Sequence, residues 1–170
     1  MDDPMLKDFD RPLNDRGKRS ALEMAKRIID KKIQVDAFIS SPAKRARKTA
    51  EIFIEEYGGK KSDLLFFEEL YLAQSPVFSN VISKTNDTYE NIAVFSHNSG
   101  ITDFANTLTE AKIDNIPTCG VFAVKIKANS WQNLRKRKKN FGFLIIRRLW
   151  LKSCLVVKKY KWAMLNKLMR

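Results

Sequence analysis

Two short runs of this sequence collect residue types that handle anions. The first is Ser40-Ser41-Pro42-Ala43-Lys44-Arg45-Ala46-Arg47-Lys48, which follows the apolar run Val35–Ser40. Ser41 reads as a helix cap with Pro42 in the first helical position. The first turns of that helix then carry Lys44, Arg45, Arg47 and Lys48. Unpaired N–H groups and the helix dipole favour an anion at such a start, and an arginine adds a planar fork that fits two phosphate oxygens. Taken singly, each of these cations is more often part of a solvated basic face. The second run is His97-Asn98-Ser99-Gly100, which follows Asn91–Phe95. A lone histidine is more often a satisfied structural residue than a catalyst. Its place at a strand-to-helix turn, beside a glycine that permits close backbone approach, makes His97 a candidate.

The elements that must position these runs alternate in type. Asp15 to Lys32 has Ala21, Leu22, Ala25, Ile28 and Ile29 at helical spacing, with Asn14 as N-cap. Val35–Ser40 reads as a strand, and the Ser41 helix runs to Tyr57, where Gly58-Gly59 stop it. A short strand over Leu64–Phe67, a weaker helix over Val77–Ser83 and a buried strand over Asn91–Phe95 follow. Ile101–Leu108 reads as a helix and Cys119–Lys127 as an alternating strand. Strands alternating with helices predict an α/β domain with a mainly parallel sheet. In such sheets ligands collect at the carboxyl ends of the strands, where both runs fall.

Charge divides the 170 residues in two. Of 32 Lys and Arg and 19 Asp and Glu, residues 131–170 hold 13 of the bases and none of the acids. Residues 1–130 are therefore charge-balanced, and the net charge of +13 belongs to the last 40 residues. This argues against a nucleic-acid partner for the main domain. A basic-tail module that binds polyanions or an anionic membrane surface is the weakest of the readings kept open. Cys119 and Cys154 make no disulfide framework, and one His with two Cys does not make a zinc site. Met-Asp-Asp-Pro opens without a signal peptide, and Arg147, Arg148 and Lys152 interrupt the apolar stretches near the end. A soluble cytoplasmic protein with no membrane partner is the expectation.

Three blocks of the sequence resemble SixA-type phosphohistidine phosphatases, of the histidine phosphatase (phosphoglycerate mutase-like) superfamily. Asp8–Ala21 (DFDRPLNDRGKRSA) is similar to that group's D-x-x-R-P-L segment. Ile39–Glu51 (ISSPAKRARKTAE) is similar to its S-S-P-x-x-R-A segment, and Val94–Ile101 (VFSHNSGI) to its G-H-N segment. The resemblance covers about residues 2–130. It implies a three-layer α/β/α fold and a metal-free, cofactor-free phosphoryl transfer through a phosphohistidine. It implies a phosphorylated partner, either a phosphohistidine protein or a small phosphoryl donor. It also implies phosphate-binding roles for Arg45, His97 and Asn98, with His97 the family's second catalytic histidine.

The sequence departs from the family pattern in three ways. The family's nucleophilic histidine lies in an R-H motif on a central first strand, ahead of the D-x-x-R-P-L segment. Here His97 is the sole histidine, so the first strand and the nucleophile are expected to be missing and activity impaired. A non-catalytic phosphate-binding remnant is the alternative reading. Second, residues 131–170 have a composition that a shifted reading frame would give. They are expected to lie outside the α/β core, with one exception: an apolar stretch such as Phe143–Ile146 is a candidate to fill the gap in the sheet. Third, sugar-phosphate members carry an acid where this chain has an apolar residue near Leu72, which leans towards the SixA type. Glu68 and Glu69 are the alternative candidates for that acid, or exposed loop carboxylates.

Overall fold

The computed structural model describes residues 7–110, 112–117, 120–136, 141–145 and 154–160. Helix α1 spans Asp15–Asp30, and the Asn14 side chain accepts from the Gly17 N–H at 2.8 Å, as the cap reading predicts. Its buried stripe is Ala21, Met24, Ala25 and Ile28, one face of a 3.6-residue period. Then come β1 (Ala37–Ser40), α2 (Lys44–Glu56), β2 (Leu64–Phe66), α3 (Ser75–Ser83), β3 (Asn91–Phe95) and α4 (Gly100–Leu108). The chain continues with β4 (Val121–Lys127), β5 (Phe141–Ile145) and β6 (Cys154–Tyr160). Cys119, the expected start of β4, lies outside the described residues.

The six strands form one sheet in the order β2-β1-β3-β6-β4-β5. β1 is parallel to both β2 and β3, and β4 is parallel to β6. The β3–β6 and β4–β5 pairs are antiparallel, so the sheet is mixed. Alternation along the strands feeds two cores. Ile92, Val124 and Val157 sit in register on one face and pack with Phe78, Ile101, Phe104 and Trp131. Ala93, Ala123 and Val156 sit on the other and pack with Met24, Ile28 and Phe53. The result is the three-layer α/β/α arrangement.

The described parts of the acid-free segment do not lie outside this core. β6 occupies the interior position between β3 and β4, and Val156 and Val157 are 2% and 0% exposed. The core also continues past the compositional break, because Trp131 and Leu134 are buried and the Trp131 indole N–H donates to the Tyr89 carbonyl at 3.0 Å. The physical reason is the accounting of backbone groups. Without β6, the inner edges of β3 and β4 would bury unpaired N–H and C=O groups in the middle of the sheet. Residues 155–157 supply those hydrogen bonds, and Val156 and Val157 add buried apolar surface. Residues 141–145 pair along the outer edge of β4 and do not fill the gap, and Ile146 lies outside the described residues.

Candidate functional site

β1 and β3 are neighbouring parallel strands, with Ser40 in register with Phe95. The chain leaves both at the same edge of the sheet, and the Ser41 N–H donates to the Phe95 carbonyl at 3.0 Å. The two anion-handling runs therefore start side by side. Ser41 does not cap α2 as expected. The helix begins at Lys44 after Ala43, without a side-chain cap. The buried Ser41 hydroxyl accepts from the Ala43 N–H at 3.3 Å and lies 3.4 Å from His97 Nε2.

His97 is 9% exposed. The ring of Tyr71 meets it edge-on, with centroids 5.5 Å apart and planes at 88°. The next residue, Asn98, is fastened into its own loop. Its amide nitrogen donates to the Asn115 side chain and, at 2.9 Å, to the Ile116 carbonyl. Its oxygen accepts from the Thr102 hydroxyl at 2.6 Å. A direct phosphate contact from Asn98 competes with these bonds.

The four cations of α2 go separate ways. Arg45 pairs with the Asp8 carboxylate through Nη2, while its Nε and Asp8 Oδ2 are buried without a hydrogen-bond partner. Lys44 pairs with Asp10 at 3.0 Å. Arg47 and Lys48 both turn to Glu51, at 2.8 and 3.6 Å, and the Arg47 guanidinium also lies over the Phe66 ring. Burial acts to raise the pKa of Glu51, but the hydrogen bond and charge of Arg47, with Lys48, win and hold it below the usual carboxylate value. Of the four, Arg45 has the most buried side chain, 21% exposed.

A cavity of about 540 Å³ opens beside His97 and Asn98, and its wall includes Leu72, Gln74, Gly100 and Asp103. Arg45 is not among the residues that line that cavity; it follows β1 as His97 follows the neighbouring β3. Leu72 is 60% exposed at the cavity mouth, with φ of 49°, a left-handed conformation that costs a leucine roughly 1–2 kcal/mol. Glu68 and Glu69 are exposed and lie off the cavity, with Glu69 3.9 Å from Lys84. The acid that does line it, Asp103, was not singled out from sequence. The signal for it is its place in the first turn of α4, three residues after Gly100. Gly100 itself is required by space, since a Cβ there would lie 1.8 Å from the Ala73 carbonyl oxygen. Among the described residues, no group of three or more His, Cys, Asp or Glu is placed to hold a metal ion. Among the same residues, no helix is long and apolar enough to cross a membrane.

Comparison with known proteins bears on this geometry. The family model of the histidine phosphatase superfamily (branch 1) matches residues 5–72. No curated protein matches the chain. Among solved structures, the chain is similar to a protein assigned as the phosphohistidine phosphatase SixA of Agrobacterium tumefaciens. The identity is 25%, over 64% of this chain and 68% of that one, with a TM-score of 0.57. A structure assigned as SixA from Nakamurella multipartitia shares the fold, with a TM-score of 0.65 at 16% identity, over 87% of this chain and 91% of that one. The protein histidine phosphatase SixA complexed with tungstate does so too, with a TM-score of 0.57 at 22% identity, over 64% and 70%. The chain is thus similar to the histidine phosphatase superfamily over residues 5–72, and its fold is similar to SixA structures over the larger part of its length.

Proposed function

We propose that this chain is a phosphohistidine phosphatase-like hydrolase whose phosphoryl group is held at the shared carboxyl end of β1 and β3. One observation carries the reading: Ser41, three residues ahead of α2, touches His97, which follows β3, so the arginine-bearing helix start and the histidine turn form one edge. Arg45 provides the fork for two phosphoryl oxygens. His97 provides a ring nitrogen for a third, oriented by Ser41 and Tyr71. Asn98 supports the turn through its loop bonds. Phosphoryl transfer depends chiefly on positioning and charge stabilisation, which these groups supply. The cavity beside His97 has room for the imidazole ring of a phosphohistidine, with Asp103 on its wall. The partner is accordingly a phosphorylated protein or a small phosphoryl donor.

A second reading, phosphoryl binding without efficient turnover, rests on a specific observation. The covalent route of the family uses two histidines, and the sequence holds one. The experiment is titration of inorganic phosphate by calorimetry together with hydrolysis of a phosphohistidine peptide. The expected result is phosphate binding that is lost in Arg45→Ala and His97→Ala; hydrolysis lost with it supports the first reading, and binding with slow or no hydrolysis the second. Binding and hydrolysis indifferent to both substitutions would remove the site from this edge.

A further inference from the structure

The short turn Asp8-Phe9-Asp10 lies across the proposed site and touches it at three points. Asp8 pairs with Arg45. Asp10 pairs with Lys44 at 3.0 Å. Between them, the Phe9 ring meets Tyr71 edge-on at 5.1 Å, and Tyr71 in turn meets His97 at 5.5 Å. The two acids neutralise the first two cations of α2, and the aromatic ring anchors the turn to the residue that backs the histidine.

The Asp8–Arg45 pair is incomplete. Arg45 Nε and Asp8 Oδ2 are both buried, and neither has a hydrogen-bond partner. Asp8 satisfies one nitrogen of a fork built for two oxygens, and leaves one of its own oxygens unmatched. Buried polar groups without partners are destabilising relative to any arrangement that pairs them. A tetrahedral oxyanion can meet Nη2 and Nε together, while a displaced Asp8 carboxylate regains water.

We infer that Asp8-Phe9-Asp10 is an autoinhibitory latch: the Asp8 carboxylate occupies the phosphoryl-binding fork of Arg45 until a phosphoryl anion displaces it. This deepens the reading of Arg45 as a phosphate ligand and rests on it. Asp8 competes with the ligand for one guanidinium, so removing its charge strengthens ligand binding. Phe9 sets how tightly the latch is held, through Tyr71, without touching Arg45. Ligand binding releases the turn, so its amides become more exposed when the site fills.

The test uses inorganic phosphate as probe and the full chain. Phosphate affinity is measured by calorimetry for the parent chain, Asp8→Asn, Phe9→Ala and Arg45→Ala. Amide hydrogen exchange is followed in peptides covering residues 7–13, with and without phosphate. The latch requires that Asp8→Asn tighten phosphate binding by about tenfold, the scale of one lost charge-assisted competitor. Phe9→Ala should tighten it by a smaller factor, and phosphate should speed exchange in residues 8–11. Equal or weaker binding in both Asp8→Asn and Phe9→Ala, with Arg45→Ala still abolishing it, would overturn the latch. Asp8 would then position Arg45 and the phosphate site would stand. Slower exchange in the turn on adding phosphate would overturn the latch in the same way. Phosphate binding unaffected by Arg45→Ala would overturn the latch and the site together. Phe9→Ala keeps the test decisive if Asp8→Asn fails to fold.

Discussion

The Ser41 hydroxyl lies 3.4 Å from His97 Nε2, across 56 residues of chain. Both side chains are buried, at 0% and 9% exposure, and both follow strands that are parallel neighbours. The contact fixes the histidine ring against the entry to α2, so this edge is set by the sheet and not by a loop alone.

Ser41→Ala removes that contact and the bond from the Ala43 N–H. Loss of such bonds at a buried site costs about 1–3 kcal/mol. Denaturant unfolding should show that drop, and phosphate binding should weaken because the His97 ring is no longer held. Ser41→Thr, which keeps the hydroxyl, should recover more of the binding than of the stability.

Gly100→Ala should be far more damaging than its size suggests. The new Cβ would meet the Ala73 backbone oxygen at 1.8 Å, and a backbone atom cannot swing aside. Overpacking of this kind costs roughly 1–3 kcal/mol, and the rigid neighbour puts this substitution at the upper end. Both colliding segments line the cavity, so ligand binding should fall with the stability. A thermal midpoint equal to that of the parent chain would show that the α4 start is looser than described.

The interior strand β6 should be essential to folding, although it comes from the acid-free part of the chain. Val157→Ala removes two methyl groups from a fully buried position between Ile92 and Val124. Its cost should be about 2 kcal/mol, within the range of large-to-small core substitutions. Val157→Asp puts an unpaired charge there and should abolish cooperative unfolding. A chain cut after residue 153 that still unfolds cooperatively would show that β6 is dispensable.

Acid should weaken the α2 surface through Glu51. Its pKa is held below the unfolded value near 4.5, so its contribution is fully present above that pH. The contribution is lost as pH falls through the lower, folded value. Arg47 is 57% exposed, so the pair is partly screened and is worth about 1 kcal/mol or less. The thermal midpoint of Glu51→Gln should therefore lie slightly below that of the parent chain at pH 7 and converge with it towards pH 3. A constant gap between the two across that range would assign the effect to packing.

The local signals were legible from residue order because they depend on near neighbours. Asn14 bonds Gly17 three residues on, and the apolar spacing of α1, α2 and β3 follows directly from helical and strand periods. That Arg45 and His97 each follow a strand was equally readable, since the alternation of elements dictates it; that the two strands, β1 and β3, are neighbours was not. Tertiary structure decided what those residues face. Ser41 turns its hydroxyl to His97 and leaves the helix cap, because β1 and β3 bring their ends together. Arg45 pairs with Asp8, 37 residues away, and Leu72, Asp103 and the histidine turn line one cavity. The same limit explains β6. Composition marks residues 131–170 as a charged appendage, but composition carries no information about which buried strand edges lack a partner. Only the assembled sheet exposes the unpaired edges of β3 and β4, and the need to satisfy their backbone groups draws Cys154–Tyr160 into its centre.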